Sequence, residues 1–194
     1  MPTIKDEHHT ITYKLTTLSD IHFIKIYLDD LNGVHVTAST SKSQSKVEDF
    51  LHKKIQWMNQ KWQKIHEDLY QEVSLNTQET PRITYLGKAY KTIMSEANES
   101  SFSFNKGKFH FTSLKGSSEE EKQEEFERLR DQWFREKAEE KFKSIHKWTV
   151  LPEQDSLRLG YKKNQTIYLN WRLIKRSKQK ITTVIDDLID EREF

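Results

Sequence analysis

The chain has 194 residues, 34% hydrophobic and 32% charged, with a mean hydropathy of −0.89 and a formal net charge of +2. Five Trp, seven Tyr and ten Phe supply enough bulk for a core, which argues against disorder throughout. There is no Cys, so disulfides, thiolate nucleophiles and sulfur-ligated zinc are excluded, and no apolar run reaches the roughly 18–20 residues of a membrane helix.

Met1 to Thr10 carries charges without an apolar stretch, so no secretory signal is expected and the chain reads as soluble and cytoplasmic. Ile11 to Leu15 alternates in the strand manner, and Phe23 to Leu28 is rich in β-branched and aromatic residues. Asp29 to Gly33 is a turn signal with Asn-Gly at its end, and Val34 to Ala38 reads as the return strand of a small β-meander. Ser39 to Ser45 is a polar loop. Val47, Phe50, Leu51, Ile55, Met58, Trp62, Ile65 and Leu69 then fall three or four apart, which predicts a helix over about 45–72 packed on the meander.

Strands resume at Ile83 to Tyr90, Ser101 to Phe104 and Lys108 to Phe111, the last two joined by a turn at Asn105-Lys106-Gly107. Ser118 before a Glu-rich turn opens a helix expected to run to about Trp148, with Phe126, Leu129, Trp133, Phe134, Ala138, Phe142 and Ile145 on its buried stripe. Thr166 to Ile174 reads as a hydrophobic strand leading into a basic turn, and Ile181 to Ile189 as a short last helix. No internal repeat is visible. The expected class is α+β, with a β-rich subdomain at 1–115 and a helix–strand subdomain at 116–194.

Charge is unevenly placed. Leu157 to Ile185 holds eight basic residues and no acid, whereas Asp186 to Phe194 holds five acids and one Arg. Such runs commonly form a solvated face, and they also steer charged partners. Arg158, Lys162, Lys163, Arg172, Lys175, Arg176 and Lys178 are therefore candidates for contact with nucleic acid phosphates or an acidic protein surface. The eight His are scattered with no pair at i and i+4. His8-His9 lies at the terminus and the others read as strand or helix surface residues.

Several segments resemble a known family. Val34 to Ala38 with the following loop and the Trp57/Trp62 helix, Tyr85-Leu86-Gly87-Lys88-Ala89-Tyr90, and Ile167-Tyr168-Leu169-Asn170-Trp171-Arg172-Leu173-Ile174 resemble the YgjP-type metallopeptidases, SprT-like zincins. The resemblance spans about Tyr13 to Ile189 and implies a zincin-like C-terminal half. Family members have an Arg-Trp-Gly-Ser-Cys stretch where this chain has Arg158-Leu159-Gly160-Tyr161-Lys162. They also have an H-E-x-x-H helix, whose two His bind zinc while the Glu activates a water.

Counting on from Ile174 puts Asp187 and Glu191 at the His positions and Leu188 at the Glu. A one-residue shift uses Asp186, Asp187 and Asp190 instead. Both imidazoles are missing, and the family's third ligand would fall past Phe194. The resemblance thus implies a degenerate member with no catalytic residues and no zinc, acting by binding a partner, in the manner of an inhibitor or decoy in defence or mobile-element biology. The alternative is a peptidase or nucleotide phosphohydrolase in which the four carboxylates hold Mg²⁺ or Mn²⁺, ions that favour oxygen ligands.

Overall fold

A computed structural model describes residues 1–5, 10–31, 33–76, 79–153 and 157–190. Strands β1 (Thr3–Lys5), β2 (Thr10–Leu18), β3 (Ile24–Asp29) and β4 (Gly33–Ser39) form a sheet in the order β1-β2-β4-β3, with β2 parallel to β4 and the other pairs antiparallel. Alternation sorts its faces. Ile11, Tyr13, Val34, Val36 and Ala38 are buried, while Lys25 and Tyr27 stand in solvent.

The helix expected over 45–72 is three pieces: α1 (Gln44–His52), α2 (Ile55–Ile65) and α3 (Glu67–Tyr70). Ser43 caps α1 by accepting from the Lys46 amide. Val47, Leu51, Ile55, Met58, Trp62 and Leu69 are buried as the stripe requires, but Ile65 is exposed. The inward place one turn after Trp62 belongs to His66, which is 4% exposed, so the expectation of a surface histidine fails there.

The run Ile83 to Tyr90 is not one strand. Leu86 and Gly87 adopt positive φ and turn β5 (Arg82–Tyr85) back into β6 (Lys88–Ala97). With β7 (Ser101–Asn105) and β8 (Lys108–Leu114) they form a sheet ordered β5-β6-β8-β7, with β6 parallel to β8. Strand order and sense repeat those of the first sheet, so the chain does contain an internal repeat. An echo in sequence is Val34-His35-Val36-Thr37 against Phe109-His110-Phe111-Thr112, with the histidine facing away from the core both times. Topology survives large sequence change because any side chains that keep the two-residue alternation satisfy it.

α4 (Glu119–Phe142) opens with a capping box between Ser118 and Glu121 and ends before Trp148. Phe126, Phe134, Ala138 and Phe142 are buried, and Trp133 and Phe134 meet Tyr85, Phe104 and Phe109 at ring separations of 5.1–6.3 Å.

A third sheet joins β9 (Thr149–Glu153), β10 (Gly160–Lys163) and β11 (Thr166–Asn170) in the order β10-β11-β9. The strand expected to run on to Ile174 ends at Asn170, whose side chain accepts from the Arg172 amide and starts a 3-10 turn, Trp171–Lys175. α5 (Lys178–Asp190) follows, with Ile181, Val184, Ile185 and Leu188 buried. Among the described residues no helix is long and apolar enough to cross a membrane.

The β5–β6 turn docks on the 3-10 turn. The amides of Leu86 and Gly87 donate to the carbonyls of Ile174 and Lys175 at 2.9 Å each. A Cβ on Gly87 would sit 2.8–3.0 Å from Ser177 at a φ of +79°. Gly87→Ala should therefore lower unfolding free energy by roughly 1–3 kcal/mol, read from urea denaturation; an unchanged midpoint would contradict this docking.

Candidate functional site

α5 sets the geometry of the acidic positions. Asp186, Asp187 and Asp190 project into solvent, and Glu191 lies outside the described residues. Leu188, which the ungapped count from Ile174 sets at the family's water-activating Glu and the one-residue shift does not, is 2% exposed. It packs against β10 and β11 so tightly that a Cβ on Gly160 would lie 2.9 Å from its Cδ1. His146, after α4, brings its Nε2 to 3.6 Å from Asp186 Oδ1 and accepts the Trp148 amide on Nδ1. That is one imidazole and one carboxylate. Among the described residues no group of three His, Asp or Glu is placed to hold a metal ion.

The zinc implied by the family motif does not fit these side chains. Carboxylates replace imidazoles, and an apolar core residue replaces the base.

The basic candidates part company. Arg158 is clamped by Glu153 and lies over the Tyr161 ring at 3.9 Å. Lys162 donates to the Ile189 carbonyl at 3.2 Å, satisfying the end of α5. Arg172 stacks between Tyr70 (4.8 Å) and the buried Trp171 (4.2 Å), with Arg135 4.5 Å from the same indole. Arg176 grips Asp68 with Nε and Nη2 at 2.7 and 2.9 Å. Lys163 and Lys178 are exposed, as is Lys180.

Lys175 departs from the expected contact surface. It is 9% exposed, and its Nζ donates to the Leu69 carbonyl at 2.5 Å. Hydrogen bonds to backbone, together with the 3-10 turn that points it inward, account for the difference. Periodicity does not show this, because Lys175 falls in the basic turn after the expected strand, where no alternation sets its direction.

Comparison with known families meets this geometry from the other end of the chain. A model of the YgjP-like metallopeptidase domain matches residues 23–152. The chain belongs to the YgjP-like family. No curated protein and no solved structure gave a significant match. The matched span of this YgjP-like chain takes in β3 and β4 of the first sheet, the whole second sheet and α4, and stops within β9. The segment carrying the degenerate motif, β10 through α5, lies beyond it.

One cluster escaped the sequence reading. His66 stacks on Trp62 at 4.1 Å, lies 3.2 Å from Asp30 Oδ1 and meets Arg176 Nη2 at 3.3 Å. Burial lowers its pKa, with Arg176 adding to the fall and Asp30 opposing it. The spacing of Met58, Trp62 and His66 was the available signal. These contacts tie the β3–β4 turn and α3 to the start of α5.

Burial likewise pushes the Lys175 ammonium down to about 8, with Arg130 as the next cause and Asp131 opposing. Between about 8 and the ordinary 10.5 the unfolded chain holds more protons than the folded one, so stability rises with pH across that window. Lys175→Met lacks this dependence. The wild type should gain on it by on the order of 3 kcal/mol between those limits, measured by denaturation at stepped pH. A constant gap would contradict the buried ammonium.

Proposed function

We propose that this YgjP-like chain is a non-hydrolytic member of its family that acts by binding an anionic partner, nucleic acid or an acidic protein surface. The observation carrying the reading is Leu188, a core leucine at the position the ungapped count gives to the water-activating Glu; the one-residue shift gives that position to Asp187, and neither register supplies an imidazole. With Asp187 beside it on the exposed face, this turn of α5 serves packing rather than chemistry. The second strand of support is cationic. Arg172, Arg176, Lys178 and Lys180 are gathered around the 3-10 turn and the first turn of α5, and Lys180 is near enough to Asp68 to help lower its pKa.

A partner occupied but not cut suits an inhibitor or decoy. Of these groups, Lys178 and Lys180 are exposed, so they can be changed without disturbing the core; Lys175 and Arg176 carry internal contacts and cannot.

The test uses fluorescence anisotropy with a labelled single-stranded oligonucleotide and, in parallel, a fluorogenic peptide assay with added Zn²⁺ or Mn²⁺. Affinity should fall steeply between 50 and 200 mM salt, by roughly 10³-fold for about six phosphate contacts. Lys178→Glu with Lys180→Glu should weaken it at least tenfold, with no peptide turnover in either protein. Peptide cleavage would overturn the reading. Salt-sensitive capture of an acidic protein without oligonucleotide binding would assign the partner to the protein class.

A further inference from the structure

A recess opens where α3, β5, α4 and the 3-10 turn meet, away from α5's acidic end. Its walls include Arg82 and Thr84 of β5, Arg130 of α4, Gln71 after α3, and Lys175. Its volume is about 10 Å³, room for one water-sized group. Asp68 also lines it, but both its carboxylate oxygens are held by Arg176. Arg130 turns Nε and Nη2 toward Asp131 at 3.0 and 2.9 Å.

The balance inside the recess is unmet. Three cationic side chains line it; Arg130 is paired with Asp131 and the Asp68 carboxylate with Arg176, which leaves Arg82 and Lys175 without a carboxylate partner among the described residues. The Lys175 ammonium has three N–H donors. Among the described residues its one acceptor is the Leu69 carbonyl, which leaves two donors without a partner on a side chain that is nine-tenths buried. A buried ammonium in that condition is costly unless an anion or water meets it.

We propose that this recess is the seat of a phosphate dianion, either the free ion or a terminal phosphomonoester. One oxygen enters the water-sized space beside Lys175 Nζ, and the remaining oxygens face the Arg82 guanidinium at the exposed rim and Arg130 at the wall. Arg82 and Lys175 match two negative charges where a single carboxylate would leave excess positive charge. Gln71 and Thr84 add neutral donors at the rim. The seat borders the partner-binding face across Asp68, and it needs neither an active hydrolase nor a bound partner.

The experiment titrates inorganic phosphate into the whole chain by calorimetry, with ionic strength held constant by chloride, and follows thermal melting in the same buffers. One phosphate per chain should bind and raise the melting temperature above that in chloride. Arg82→Gln, at an exposed position that leaves the core untouched, should raise the phosphate Kd at least tenfold, and Lys175→Met should do the same. Lys163→Gln should change nothing. If Lys175→Met does not fold, the Arg82 variant carries the test alone. A second arm repeats the titration with methyl phosphate: binding like that of phosphate assigns a monoester group, and its loss assigns the free ion. No phosphate-specific heat or melting shift, or a response that survives Arg82→Gln, overturns the proposal. Neither result bears on oligonucleotide binding.

Discussion

The approach of α5 to the third sheet is the constraint on which the C-terminal half depends. Gly160 has no side chain, and the space a Cβ would take is filled by the Tyr168 carbonyl, Leu188 and Leu169. Leu188 enters that gap and removes its apolar surface from water, worth about 1.5–3 kcal/mol. The same turn of helix cannot both bury a leucine there and present a water-activating carboxylate from that position. On the ungapped count, the position that packing fills is the one the family motif gives to chemistry.

The cations follow a similar logic. Arg158, Lys162 and Arg176 close on Glu153, on the carbonyl that ends α5, and on Asp68. These contacts stitch β10, α5 and α3 together. A basic run that looks like one surface in sequence is thus divided between internal bracing and a smaller exposed set. Arg135 and Arg172 on Trp171 add the same economy at α4, where two guanidinium planes cover a buried indole. What remains for an outside partner is concentrated near the start of α5.

Much of the architecture was legible because period and turn chemistry are local. The strands at Ile11, Val34 and Lys108, the hairpin at Asn105 to Gly107 and the Ser118 cap all follow from side-chain alternation or from a single residue's conformational preference. The repeat of sheet order was not legible, since pairing between β2 and β4 or between β6 and β8 joins segments far apart in sequence whose residues need match only in phase. His66 and Lys175 were misplaced for a related reason. A polar residue on an inward position looks like a surface residue until its partners, Asp30 and Arg176 for one and Leu69 for the other, arrive from elsewhere in the chain. The degenerate motif was the reverse case: its positions could be counted from Asn170-Trp171-Arg172-Leu173-Ile174, while the burial of Leu188 could be seen only in three dimensions.

The central proposal is that α5 serves packing and holds no zinc. Zinc titration of the apo chain, followed by calorimetry and elemental analysis after gel filtration, measures it most directly. The account predicts no stoichiometric zinc and no melting shift that depends on Asp187. One tightly held zinc per chain, lost on Asp187→Ala, would contradict it.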